Sequence, residues 1–376
     1  HNRFTVSAYG RRNRMTRFLG LVLLGLAVLF PLPACAALQQ LTNLFVFGDS
    51  LSDAGNSGLR SQEFTNNPNI VFPPPPYSNG QFSNGPVAVQ YLWDLYNPGN
   101  TGAFKPSLAG GTDYAIGGAT TGVENYNSLN PNVPGFLQPA YAQFGTAWEL
   151  QEFEAGHPAF DPATSLFVVW LFPNDVFYNS ATGNLPGVVP GSPGGSDLVS
   201  NGIANIAATI TTLAAAGAQH FLVPNMPDLG ELPEFRGTAD APLLSFISGA
   251  FDTNLGPELS ILAHDLSVEI VQFDTAAAFN QILGDPAAYG FTNATDPCFN
   301  AKTDTVCATP DTYVFWDGVH GTTKLDQILG ANFAAAVPEP DSLTLVTFAL
   351  LALAIGRSRS IHKVRPRRRK ALVASA

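Results

Sequence analysis

Four apolar, β-rich runs punctuate the chain, and each stops abruptly on small or turn-forming residues. Leu44-Phe45-Val46-Phe47 meets Gly48-Asp49-Ser50, and residues 165–171 meet Pro173-Asn174-Asp175. Residues 220–223 meet Pro224-Asn225, and residues 268–273 meet Asp274. Short continuous apolar runs bounded by turn residues read as strands buried on both faces. Helical stretches alternate with them. Residues 86–96 follow Asn84-Gly85, with Pro86 suited to a first helical turn. Residues 140–155 carry Trp148, Leu150 and Phe153 and stop at Gly156; residues 197–216 start from Ser196 or Asp197 and stop at Gly217. Residues 242–265 are apolar at helical spacing, with a kink or break expected at Gly256-Pro257. Residues 322–335 form the last. This alternation predicts an α/β fold, a parallel sheet with helices on both faces and a site at the carboxyl ends of the strands. The stretches 56–85, 119–140 and 176–196, rich in Pro, Gly and Asn, read as long irregular loops of the kind that wall a site. With no repeat and no linker, residues 37–336 read as one domain.

Hydrophobic residues make up 45% of the 376, ample for a large core, whereas charged residues are only 12%, against about 25% in an average chain. The placement of charge matters more than the net −11. Residues 37–340 hold 28 of the 29 acidic residues and only five of the 18 basic ones. Such a body repels phosphate backbones, which excludes nucleic acid as a partner.

The basic residues gather at the two ends. Met15-Thr16-Arg17 leads into an apolar run over 18–30, then Pro31, Pro33 and Ala34-Cys35-Ala36. A charged start, a short apolar core and a small-x-small site read as a secretory signal peptide within 1–36, the substrate of a signal peptidase, with residues 1–14 as upstream sequence. A lipoprotein anchored at Cys35 is the rival reading. The tail, 337–376, runs from Val337-Pro338-Glu339-Pro340 through an apolar stretch at 343–356 to a basic block with Arg365, Arg367, Arg368, Arg369 and Lys370. It resembles the PEP-CTERM sorting signal of exopolysaccharide-producing Gram-negative bacteria. That resemblance implies processing by an exosortase-type enzyme and a destination at the cell surface or in the extracellular exopolysaccharide matrix. An ordinary tail anchor is the alternative, although 14 apolar residues are few for a span of about 20. In an exported chain, Cys298 and Cys307 read either as one disulfide closing a small loop or as two unlinked thiols. No His/Cys cluster has metal-ligand spacing.

Four short blocks carry chemistry-bearing residues. Ser50, in the turn after the first strand, can project its hydroxyl where a base reaches it. Asp317-Gly318-Val319-His320 can set an imidazole beside the carboxylate that orients it. Asn174 can donate its amide to a developing oxyanion at a strand end. Gly117-Gly118 lets backbone N–H groups approach a ligand. Each block alone reads equally as a helix cap, a tight turn or an Asx turn.

Together, in this order, the four resemble the GDSL/SGNH hydrolases. Further likeness lies in Phe45-Val46-Phe47, Asp53-Ala54-Gly55-Asn56, Tyr77-Ser78-Asn79-Gly80-Gln81-Phe82-Ser83-Asn84-Gly85-Pro86, the run from Val223 to Gly230, and Phe315-Trp316 before Asp317. The resemblance covers roughly 43–335. It implies a three-layer α/β/α, flavodoxin-like sandwich with Ser50 as nucleophile, His320 as general base and Asp317 as its orienter. The oxyanion hole would be the Ser50 and Gly118 amides with the Asn174 side chain. Neither a metal nor a cofactor is implied, and Asp53 and Asp175 are left structural. There are departures. Phe172 stands where the family has glycine, two residues before Asn174, and Pro173 after it should push Phe172 towards an extended backbone. Gly321 replaces a frequent proline. The expectation is an exported serine esterase or lipase acting on an ester substrate, with acyl lipid and O-acetyl polysaccharide both open. Its rival is a non-catalytic surface or matrix protein on a hydrolase fold.

Overall fold

A computed structural model describes residues 40–337. The signal-peptide reading of 1–36 and the sorting signal read beyond Val337 fall outside the described residues. The four apolar runs become β1 (Asn43–Gly48), β2 (Ser165–Trp170), β3 (His220–Pro224) and β4 (Glu269–Phe273), hydrogen-bonded in that order and all parallel. Residues 112–116 line the free edge of β1. The Val46 amide donates to Thr112 O at 3.1 Å, Tyr114 N to Val46 O at 2.8 Å and Ile116 N to Gly48 O at 3.1 Å. Counting that edge second in chain order, the strand order is the flavodoxin-like 2-1-3-4-5. The chain therefore leaves β1 to one side and returns to the other for β2. Loops diverge at the carboxyl end of β1, which opens a crevice there.

Right-handed crossovers place the first connection on one face of the sheet and the later ones on the other. The sheet alternates accordingly. Trp170 and Phe273 meet Phe333 edge-on at 5.3 and 4.8 Å, whereas Phe45, Phe47 and Phe167 gather around Phe153 on the opposite side. Eight α-helices are seen among the described residues: α1 (Asn56–Thr65), α2 (Ala88–Tyr96), α3 (Thr146–Gly156), α4 (Pro173–Thr182), α5 (Leu198–Ala215), α6 (Ala241–Leu266), α7 (Thr275–Gly284) and α8 (Thr323–Ala336). α2 packs on α8, which carries Phe333, and α5 packs on α6. The result is the three-layer sandwich expected from the sequence.

Four helices differ from the sequence reading. α1 occupies a stretch read as irregular, because its N-terminus is capped from outside. Asp53 accepts from the Gly55, Asn56 and Ser57 amides, so poor helix formers such as Asn56, Ser57 and Gly58 are held in place. α4 begins at Pro173, a favoured first position, and extends into a stretch read as loop. α6 runs unbroken through Pro257, and neighbouring turns that bury Phe251, Leu255 and Leu259 keep it on the sheet. α7, read as no element, is capped by Asp274, which accepts from the Ala277 amide at 2.9 Å.

Beyond the sheet, β5 (Asn293–Pro297) pairs in parallel with β8 (Tyr313–Phe315). Between them β6 (Phe299–Asn300) and β7 (Thr305–Val306) form a small antiparallel hairpin. Cys298 and Cys307 are disulfide-bonded across its base.

Glu149 of α3 is fully buried beneath the end of β1. Its Oε2 accepts from the Gly48 amide at 3.0 Å, and Oε1 has no partner among the described residues. Burial pushes its acid dissociation well above the ordinary range; the Gly48 bond opposes this, and Asp113, Asp49 and Asp53 add to it. A carboxyl whose pKa is higher folded than unfolded stabilises the fold fully at low pH and loses that contribution as pH rises. Glu149→Gln keeps the acceptor for Gly48 and cannot ionise. Its melting temperature should fall less than that of the wild type between about pH 5 and 8, leaving it higher by about 2–4 °C at pH 8, the scale of 1 kcal/mol in a mid-sized domain. Parallel curves in differential scanning calorimetry would show that Glu149 does not titrate with folding.

Candidate active site

The chain turns sharply after β1. The Ser52 and Asp53 amides both donate to the Asp49 carbonyl at 3.0 Å, which lifts Ser50 to the carboxyl end of the sheet. Ser50 Oγ lies 2.9 Å from His320 Nε2, and His320 Nδ1 lies 2.7 Å from Asp317 Oδ2. Both partners sit in the loop between β8 and α8. That loop is itself wound on Asp317, whose Oδ1 accepts from the Val319 and His320 amides at 2.8 and 2.7 Å. With Nδ1–H donating to the carboxylate, Nε2 is left as acceptor for the serine proton. The three side chains, drawn from positions 270 residues apart, form one relay.

Burial would lower the His320 pKa, but the Asp317 charge and hydrogen bond outweigh it. Asp49 and Glu234 add to them, so the shift is upward from the ordinary value. Burial would likewise raise Asp317; the charge and hydrogen bond of His320, with bonds from Tyr77 and Val319, leave it below its ordinary value. The pair is thus biased towards imidazolium and carboxylate, the state reached when a serine loses its proton to the base.

Gly118 has φ 82°, and a Cβ there would lie 2.4 Å from Asn125 Oδ1. Only glycine fits this position. The Ser50 and Gly118 amides have no protein acceptor among the described residues. Both residues border one pocket, together with Asn174 and His320. Asn174 stands in the first turn of α4, where its Nδ2 donates to Asp49 Oδ2 at 3.1 Å, leaving a second N–H uncommitted. Asp49 also accepts from the Leu51 amide. Burial pushes Asp49 up to about 7, and the bonds from Leu51 and Asn174 and the charge of His320 pull against that rise. The structure therefore brings together all five residues singled out for chemistry: Ser50, Asp317, His320, Gly118 and Asn174.

Phe172 is not extended. Its φ is 121° and its ψ −32°, a region that favours glycine. Packing overrides the local preference. The ring is fully buried and stacked on Phe251 with centroids 4.0 Å apart, and it rests on Gly202, where a Cβ would lie 2.4 Å away. The strand end is therefore not turned away from the site, and Asn174 borders the same pocket as Ser50 and Gly118.

Two residues in the site had no role in the sequence reading. Asp49 read only as a helix cap, yet it fixes the Asn174 amide across 125 residues. Tyr77 lay in a family-like block without an assignment, and it donates to Asp317 across 240 residues. Neither contact leaves a local signal.

Neutral His320 is the form that accepts the serine proton. Because its pKa is raised, kcat/KM for an ester should climb with pH, with the midpoint of its acid limb above about 6.5, the ordinary histidine value. A midpoint near or below pH ~6 would show that burial outweighs the Asp317 carboxylate.

A model of the GDSL-like lipase/acylhydrolase family matches residues 44–333. The chain is 28% identical over 328 residues to an uncharacterized protein in the trpE-trpG intergenic region of Pseudomonas putida, covering 83% of this chain and 51% of that one. It is 27% identical over 313 residues to the thermolabile hemolysin of Vibrio parahaemolyticus, with 77% and 62% covered. Over 283 residues it is 28% identical to the phosphatidylcholine-sterol acyltransferase of Aeromonas hydrophila, with 74% and 72% covered. The chain thus spans less than two thirds of the length of the first two relatives. The family match reaches from within β1 to within α8 and takes in the whole sheet and every element around the pocket. On that extent, the chain belongs to the GDSL-like lipase/acylhydrolase family, whose members are esterase and lipase hydrolases.

Proposed function

We propose that this chain is an exported serine hydrolase that cleaves carboxylic esters through Ser50, His320 and Asp317. The observation that carries the reading is the continuous relay from Ser50 Oγ through His320 to Asp317, at 2.9 and 2.7 Å. Ser50 Oγ attacks the ester carbonyl as its proton passes to His320 Nε2. The oxyanion is met by the Ser50 and Gly118 amides and the free N–H of Asn174. Collapse expels the alcohol, which takes the proton from His320, and leaves an acyl group on Ser50. Water, deprotonated in turn by His320, then releases the acid. Asp317 stays ionised throughout and holds the imidazole.

An acyl lipid is the substrate class favoured here over an O-acetyl polysaccharide. The pocket around Ser50 is walled by Leu51, Phe177, Leu229, Leu232, Phe279 and Val319, apolar surface that suits a hydrocarbon chain. A hemolysin and a phosphatidylcholine-sterol acyltransferase among the relatives are in keeping with it. Export rests on the signal-like start and the tail that resembles a sorting signal, which would engage a signal peptidase and an exosortase-type enzyme.

A fluorophosphonate probe applied to intact cells of a producing bacterium tests the mechanism and the destination together. The adduct should map to Ser50, on a chain that begins near Ala37 and lacks residues 343–376. An adduct elsewhere in active protein would end the mechanism, and an unprocessed chain confined to the cytoplasm would end the export reading. Asn174→Ala should lower kcat by about 10²–10³ with KM little changed, because its hydrogen bond forms with the oxyanion and not with the bound ester. Steady-state kinetics showing kcat within about threefold of wild type would reduce Asn174 to a partner for Asp49.

A further inference from the structure

Residues 77–84 take no part in the reaction as derived, yet they enclose the loop that carries Asp317 and His320. Tyr77 Oη donates to Asp317 Oδ2 at 2.5 Å. The Phe82 ring lies 5.1 Å from the imidazole of His320. Ser83 Oγ donates to Gly321 O at 3.0 Å, and Asn84 Oδ1 accepts from the Thr323 amide at 2.8 Å. Tyr77 is in turn held by rings. Phe299 and Trp316 meet it edge-on at 5.5 and 6.1 Å, and Phe82 lies at 6.4 Å. Phe299 belongs to β6, in the hairpin that the Cys298–Cys307 disulfide closes.

The contacts of Asp317 divide unequally between its two oxygens. Oδ1 is occupied by the Val319 and His320 amides, which shape the loop. Oδ2 faces the imidazole and is shared between His320 Nδ1 and the Tyr77 hydroxyl. A hydroxyl bound to an ionised carboxylate at this distance makes a strong, charge-assisted hydrogen bond. Burial pushes the ionisation of Tyr77 far above the ordinary value, with the Asp317 and Glu234 charges adding to the rise, so the phenol remains a donor at any working pH.

We propose that Tyr77 is a positioning residue for the ester-cleaving reaction: its hydroxyl holds the Asp317 carboxylate in line with His320 Nδ1 and, by drawing on the charge of Oδ2, sets how basic His320 is. The inference rests on the proposed roles of His320 and Asp317. The titratable groups facing the imidazole are Asp317, Asp49 and Glu234, and those facing the carboxylate are His320, Tyr77 and Glu234. Of these, Tyr77 alone binds the same oxygen as the imidazole. Without its hydroxyl, Oδ2 carries more charge towards His320, and the imidazolium gains stability. The base then needs a higher pH to become neutral.

The experiment compares kcat/KM–pH profiles. Tyr77→Phe keeps the ring against Phe299 and Trp316 and removes only the oxygen. Its acid limb should lie about 0.5–1 pH unit above that of the wild type. Its kcat on the plateau should fall by up to about tenfold, with KM unchanged, as the carboxylate loses one of its constraints. In the opposite sense, 3-fluorotyrosine placed at position 77 alone makes a stronger donor and should move the limb down. Should Tyr77→Phe fail to fold, by near-ultraviolet circular dichroism, the fluorotyrosine profile decides alone. Limbs that coincide with the wild type would reduce Tyr77 to packing. Ser50→Ala, assayed alongside, separates the two readings. Activity retained there overturns the mechanism and the role of Tyr77 with it, whereas activity lost there, with coincident limbs, overturns the role of Tyr77 alone.

Discussion

The carboxylate of Asp53 ties the two halves of the site together. It accepts from the amides of Gly55, Asn56 and Ser57 at the start of α1 and from Gly117 at 2.9 Å, so one buried side chain joins the turn that carries Ser50 to the loop that carries Gly118. Asp113 repeats the arrangement one step outward, accepting from the Ala54 and Ala115 amides, while the Asn56 side chain donates to the carbonyls of both 113 and 115. Asp175 does the same for α4: it accepts from the amide and hydroxyl of Thr121, three residues past Gly118. Every donor proposed for the oxyanion hole is therefore braced by a buried acid, and the brace reaches backbone directly. Buried polar networks of this kind are stabilising only when their members are satisfied, and these carboxylates are.

That architecture also accounts for the odd charge balance of the sequence. A body with 28 acidic and five basic residues looks like a strongly repelling surface, but many of its acids are interior. Asp49, Asp53, Asp113, Glu149, Asp175 and Asp326 are all buried, and the ion pairs of Arg60 and Arg236 involve other, more exposed acids, Glu63 and Glu231. Backbone amides replace cations as partners. Burial raises the pKa of each of these six, which lessens the charge that has to be buried.

The sheet was legible because β1, β2 and β3 are buried on both faces and need no periodicity to stand out, as in Leu44-Phe45-Val46-Phe47, whereas β4, at the edge, is only half-buried. The nucleophile, base and orienter were legible because each sits within a few residues of its partners in the turn, or in a block with a family resemblance. What escaped was held from a distance. α1 has little apolar patterning and takes its cap from Asp53 and its seat from the glycine loop. α4 did carry a signal, Pro173 at its first position with Asp175 two residues later, but the Asn- and Ser-rich sequence beyond it masked the helix. The rule for a residue before proline predicts an extended Phe172, and that local preference is weaker than a ring stacked on Phe251. Pro257 likewise fails to break its helix, because the packing on either side of it is invisible in sequence.

Phe172 and Gly202 constrain one another. The ring occupies a slot that exists only because residue 202 has no side chain. With Phe172 in place, residue 202 can carry no side chain without displacing the ring. Any larger residue at 202 would press on a ring whose backbone is already held at φ 121°. Removing the ring would be costly too, since it would leave Phe251 facing a void. A residue that looks out of place before a proline is thus locked there by its neighbours, and the two positions can be exchanged only as a pair.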